Sequence, residues 1–179
     1  MLVSIALVGF LVVMMSPIII NSINAWLVGK EGTDAISQSN FLFNNLLLDL
    51  KTADTVTFAG TNEFEYQIGP NKYRVYAYNY NNGGNPPGPP PYQVRKADST
   101  LAFNYGDGSP IIGNIALLSG PQRPGIEFSY YNSNNQPTAV LSDITLISIK
   151  LTFKEEFVNR TYVTKIHLSR ISKSIKRTQ

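Results

Sequence analysis

Few residues in this chain have the chemistry to be catalytic, and their settings argue against it. His167 is the single histidine. It lies between Lys165 and Ser169 on the polar face of an alternating stretch, where a general base would have neither shelter nor a partner. Glu63 and Glu65 share one face of a strand-like segment, but nothing pairs them as acid and base. Asp107, in Gly106-Asp107-Gly108-Ser109-Pro110, is a lone carboxylate, whereas a calcium site gathers about six to eight oxygens, usually with several carboxylates close in sequence. There is no cysteine, which removes disulfides, thiolate metal sites and thiol nucleophiles. No serine sits in a nucleophile-elbow pattern, and no glycine loop has phosphate-cradling spacing. Asn159-Arg160-Thr161 matches a glycosylation sequon, which is weak evidence alone. The sequence therefore predicts no enzyme, no cofactor and no metal.

Charge points the same way. The net charge is +3, from 15 basic and 12 acidic residues. Eight of the basic residues lie from Lys150 onward, against Glu155 and Glu156. A basic end can bind nucleic acid, but here no stacking aromatics are interleaved with the basic residues as they are in single-strand binders. A solvated last strand and tail are expected, and nucleic acid is not expected as a partner.

The informative chemistry is apolar. Met1 to Val28 contains no Asp, Glu, Lys, Arg or His, and the first charge is Lys30. Through Ile20 the run is broken only by Ser4, Gly9, Ser16 and Pro17. About 20 apolar helical residues cross a bilayer core. The favourable transfer of Leu, Ile, Val and Phe outweighs the cost of about 3 kcal/mol for an interior proline. A cleaved signal peptide fits poorly: no basic residue precedes the run, the run is too long, and no Ala-x-Ala site follows it. Residues 30–54 lack proline and continue the helix in amphipathic form. Ile36, Phe43, Leu47 and Leu50 fall on one face at helical spacing, with Ser37, Asn44, Asp49 and Lys51 off it. Gly29 and Gly32 are expected weak points where the helix bends or partly melts.

From Thr55 the period changes to two. Strands are predicted at Thr55–Ala59, Glu63–Ile68, Lys72–Tyr80, Tyr92–Ala97, Thr100–Tyr105, Ile126–Tyr131 and, briefly, Thr138–Leu141. Asn81–Pro91 is a Pro- and Gly-rich loop, and Ile111–Leu118 is apolar. The strongest β signal is the alternation of Ile147, Ile149, Leu151 and Phe153 with Ser148, Lys150, Thr152 and Lys154. Its expected partner runs Tyr162–Ile171, with Tyr162, Ile166 and Leu168 on one face. The fold class expected is α+β: a long N-terminal helix, apolar then amphipathic, laid through Ile36, Phe43, Leu47 and Leu50 on an antiparallel sheet. The segments expected are the apolar half 1–29, the amphipathic half 30–54, the β head 55–172 and a basic tail 173–179.

The start, Met-Leu-Val-Ser-Ile-Ala-Leu-Val-Gly-Phe-Leu-Val-Val, resembles the type IV pilin and pseudopilin helix just after its cleavage motif. Gly9 and Pro17 stand where family members commonly carry a helix-loosening Gly and Pro. Phe43-Asn-Asn-Leu-Leu-Leu-Asp-Leu-Lys-Thr-Ala-Asp54 resembles the helix end that leads into the sheet. Tyr92-Gln-Val-Arg95, Ile115-Ala-Leu-Leu118, Ile126-Glu-Phe-Ser-Tyr-Tyr131 and Ile144–Phe153 are most similar to J-type minor pseudopilins of type II secretion and W-type minor pilins. The family's leader, cleavage Gly and early Glu are not seen, as expected if the start codon is assigned late.

The resemblance implies a structural subunit of a pilus or a secretion or competence pseudopilus, near the tip and priming assembly. Met1, Leu2, Gly9, Phe10, Pro17 and Ile20 would belong to the helix that lies first in the cytoplasmic (inner) membrane and then in the filament core. The implied partners are other pilin or pseudopilin subunits and an inner-membrane assembly platform, with the head extracytoplasmic. The alternative is a membrane-anchored extracytoplasmic β domain binding a glycan or protein ligand through the Tyr-rich strand Tyr73–Tyr80 and the Pro-rich loop, with Tyr76 and Tyr78 as stacking residues.

Overall fold

A computed structural model describes residues 2–79, 92–99, 103, 106–115, 117–118, 123–153 and 159–168. One long N-terminal helix is followed by antiparallel strands, an α+β fold. The chain divides into two compact units, residues 1–36 and residues 37–179. The helix α1, Leu2–Thr52, runs without interruption from the first into the second. The helix does not melt at Gly29 or Gly32, both of which are helical. Each glycine costs about 1 kcal/mol relative to Ala, a modest penalty in a helix of 51 residues.

In the second unit, five strands form a meander: β1 (Thr55–Ala59), β2 (Glu63–Ile68), β3 (Asn71–Asn79), β4 (Tyr92–Ser99) and β5 (Ser109–Ile115). Each is antiparallel to the next. Gly69-Pro70 makes the tight β2–β3 turn, with Gly69 at φ +58. Leu117–Leu118 (β6) and Arg123–Pro124 (β7) form a small two-stranded ladder. A three-stranded segment follows, with β9 (Leu146–Phe153) between β8 (Ile126–Tyr131) and β10 (Arg160–His167). One pairing, Ile115 with Phe153, joins meander and segment, so β5 and β8 meet the same edge of β9 end to end.

The turn between β1 and β2 covers the other edge of β8. The Phe128 amide donates to the Thr61 carbonyl at 2.7 Å, and Asn62 Nδ2 donates to the Ile126 carbonyl at 2.5 Å. The Tyr130 hydroxyl donates to the Gly60 carbonyl at 2.7 Å, and Phe128 packs edge-on against Phe64 at 4.7 Å. The Phe128 edge amide and the Ile126 edge carbonyl are thus satisfied within the unit, where an open edge would invite pairing with another chain.

Several expected elements change. Asp98 and Ser99, expected as a turn, belong to β4. Of Thr100–Tyr105 only Phe103 is described, and it lies in no strand. Thr138–Leu141 forms no strand. Pro137 makes an isolated bridge to Tyr131, and a 3-10 turn covers Leu141–Asp143. Proline offers no N–H to a ladder, which limits strand growth there. The loop Asn81–Pro91 and the tail 173–179 lie outside the described residues. Ser148 and Thr152, expected on a solvated face, are buried. Their strand is flanked on both sides, their side chains are short, and Thr152 Oγ1 lies 2.9 Å from Thr161 Oγ1.

Candidate functional site: the exposed apolar half of the helix

In the first unit, every residue from Gly9 to Trp26 is exposed. Phe10 is 61% exposed and Trp26 63%. Leu11, Val12, Val13, Met14, Met15, Ile18, Ile19, Ile20 and Ile23 are exposed with them. This is the only helix among the described residues long and apolar enough to cross a membrane. A helix apolar all round is a core or membrane element. The 15 Leu, Ile, Val and Phe residues between Leu2 and Val28 contribute about 5–9 kcal/mol toward insertion on the translocon scale.

The hydroxyls of Ser16 and Ser22 are satisfied locally, as hydrocarbon requires. Ser16 Oγ donates to the Val12 carbonyl at 2.9 Å, and Ser22 Oγ to the Ile18 carbonyl at 2.8 Å. Thr33 Oγ1 reaches the Gly29 carbonyl at 3.0 Å. Pro17 sits inside the helix without ending it; it removes one donor, that for the Val13 carbonyl. At Gly9 and Gly29 an added Cβ would meet nothing within 4 Å, so neither glycine is required by packing within this chain. At the end of the charge-free run, Lys30 Nζ lies 5.5 Å from the centre of the Trp26 ring.

In the second unit the helix is held on the sheet. Its buried stripe is Ser39, Leu42, Leu46 and Leu50, continued by Ala53. Fully burying each leucine stabilises by about 1.5–3 kcal/mol. At the helix end, Asp49 Oδ2 accepts from the Tyr66 hydroxyl at 2.7 Å and from Lys96 Nζ at 2.5 Å. Lys96 also lies over the Tyr73 ring at 4.8 Å. Gln38 Oε1 accepts from the Gly113 amide at 3.3 Å. These contacts reach β2, β4 and β5 from one helix. Burial first, and then the Asp49 carboxylate, push the Tyr66 hydroxyl well above the usual tyrosine range.

The expected stripe is displaced. Leu50 is buried, Phe43 and Leu47 are half-buried, and Ile36 is 46% exposed. The true face passes through Leu42 and Leu46, one position earlier. Three consecutive leucines, 46–48, fit either register by type alone; Leu48 is the outermost, at 68% exposed. The signal that separates them is Asp49, one position before Leu50, whose carboxylate needs both partners it finds on the sheet. Of the helix residues named from the sequence, Gly9, Phe10, Pro17 and Ile20 lie in the exposed half; Leu2 opens the helix, and Met1 lies outside the described residues.

Of the two tyrosines named as stacking residues, Tyr76 is buried and Tyr78 is half-buried. Tyr76 lies on the side of the meander away from the helix, yet it is buried. Its hydroxyl donates to the Asp107 carbonyl at 2.7 Å and accepts from the Gly106 amide at 3.1 Å. Arg95 holds the same turn, donating from Nη1 to the Gly106 carbonyl at 2.6 Å, and lies over the Tyr78 ring at 4.1 Å. Beside it, Arg74 pairs with Glu63 and lies 3.8 Å from Glu65. Tyr76 is therefore committed to the fold and is not a free stacking surface for a ligand. His167 is exposed.

Comparison with known protein families, with curated proteins and with solved structures finds no match.

Proposed function

We propose that this chain is a minor pilin or pseudopilin, a structural subunit of a type IV pilus or type II secretion pseudopilus, acting near the tip and priming assembly. One observation carries the reading. A single unbroken helix is bare and apolar from Gly9 to Trp26 and is fixed to an antiparallel sheet by Leu42, Leu46, Leu50 and Asp49 over its last four turns. Such a rod is apolar enough for lipid and equally suited to a bundle of similar helices. The exchange between them is nearly balanced, because lipid tails and apolar side chains differ little in polarity. Anchoring of the last four turns means that a pull on the helix is transmitted to the head. In this reading the head stays in water on the extracytoplasmic side, and no catalysis is involved.

The test is to tag the chain in the cells that produce it, shear the surface filaments and pellet them. A minor subunit appears in the sheared fraction at low copy number, and filament assembly falls when the chain is deleted. A chain that stays wholly in the membrane fraction, with filaments unaffected by its deletion, contradicts the proposal.

A further inference from the structure

The apolar run has a marked end. Met1–Gly29 carries no charge, and at 1.5 Å per residue it is longer than a hydrocarbon core of about 30 Å. Its length alone therefore leaves the depth of the helix in a bilayer undetermined. Trp26 and Lys30 supply what the length does not. They stand one helical turn apart on the same face, with the ammonium 5.5 Å from the ring centre. Both are exposed. Among the described residues no ion pair involves Lys30. Glu31 and Asp34 follow within the next turn, so the helix beyond this point is charged.

We infer that Trp26 and Lys30 form an interfacial anchor, with the indole seated at the lipid carbonyl level and the Lys30 ammonium paired with the phosphate of a phospholipid headgroup. The inference rests on the reading that the apolar half crosses a bilayer, and adds which residues set its depth and which lipid group they take. Indole rings concentrate at the membrane–water boundary, because one edge is polar and the body apolar. A lysine beside them extends its ammonium toward the headgroups, where an anionic phosphate complements it. With Trp26 at the boundary, about twenty residues back to about Leu7 fill the core. Pro17 then lies about 14 Å below Trp26, close to the bilayer midplane.

Trp26 is the chain's one tryptophan, so its fluorescence reports this position without mutation. The full-length chain is reconstituted into phosphatidylglycerol–phosphatidylcholine vesicles whose acyl chains are brominated either near the headgroup or near the methyl end. The expected result is co-flotation with the vesicles, a blue-shifted emission, and stronger quenching by the bromines near the headgroup. Lys30→Gln should shift the balance toward the deeper bromines, and Lys30→Arg should restore it. Stronger quenching by the deep bromines in the unaltered chain, or no quenching by either in a chain that floats, overturns the anchor but leaves the membrane-crossing helix standing. A depth unchanged by Lys30→Gln overturns the phosphate contact, and failure to float overturns both anchor and crossing.

Discussion

The turn that covers Tyr76 should tolerate alanine very unequally at its two glycines. Gly106 and Gly108 both have positive φ, +99 and +77, so alanine at either position carries left-handed strain of about 1–2 kcal/mol. Their surroundings differ. A Cβ at Gly106 would lie 3.7 Å from the Tyr78 ring and hydroxyl, an ordinary contact. A Cβ at Gly108 would run into the Lys96 carbonyl and lie 2.6 Å from Ala97 Cα. Both are backbone atoms of β4, which is paired on one side with β3 and on the other with β5. Neither neighbour strand can move without loss of ladder bonds, so overpacking adds about 1–3 kcal/mol. Gly108→Ala should therefore destabilise by about 2–5 kcal/mol, against about 1–2 for Gly106→Ala. For a chain of this size the larger figure is a fall in Tm of roughly 5–15 °C. Near-ultraviolet circular dichroism of the tyrosines during thermal and urea unfolding of the detergent-solubilised chain measures it. Equal losses at the two positions, or a smaller loss at Gly108, would refute the reasoning about β4.

Two substitutions locate the helix face: Leu46→Ala should cost about 2–5 kcal/mol, while Ile36→Ala should stay within about 0.5 kcal/mol, both read from urea midpoints. Asp49→Ala, which leaves the Tyr66 hydroxyl and the Lys96 ammonium without their acceptor, should cost about 1–3 kcal/mol. The more exposed pair Glu127–Lys150, at 3.1 Å, should be worth no more than about 1 kcal/mol by double-mutant cycle. Burial raises the Tyr66, Tyr76 and Tyr130 hydroxyls above the ordinary tyrosine value. A raised folded value means the stability is intact below the unfolded value of about 10 and falls as pH rises above it. Spectrophotometric titration should show these three phenolates appearing together with unfolding; early, reversible ionisation of all ten tyrosines in the folded chain would contradict their burial.

The sequence shows most clearly the features that depend on local periodicity. The charge-free run marks one helix, and the alternation from Ile147 to Phe153 marks β9. Its partner β10 overlaps the stretch expected but begins two residues earlier, at Arg160, and Ile166 and Leu168 are buried as the pattern indicates. Features set by tertiary neighbours are not legible. The stripe on the helix is decided by Asp49 reaching Tyr66 and Lys96, residues 17 and 47 positions away. The burial of Ser148 and Thr152 depends on strands flanking β9 on both sides. By period Tyr76 fits either core packing or a ligand-stacking face, and it is the return of the chain at Gly106–Gly108 that bonds its hydroxyl. The continuity of the helix through Pro17, Gly29 and Gly32 likewise reflects cooperativity along the helix, which residue-by-residue propensity understates.

The central claim is that the bare half of the helix exchanges lipid for similar helices while the head remains in water. Because the chain has no native cysteine, Val13→Cys places one thiol at the centre of that half, and oxidative cross-linking can be followed in membranes and in sheared filaments of cells carrying cysteine at the corresponding depth in the major subunit. The account predicts a disulfide-linked pair in the filament fraction and none with a cysteine at exposed Val163 on β10. A Val13→Cys chain that never cross-links to another subunit, or that reacts freely with a membrane-impermeant maleimide before assembly, would contradict it.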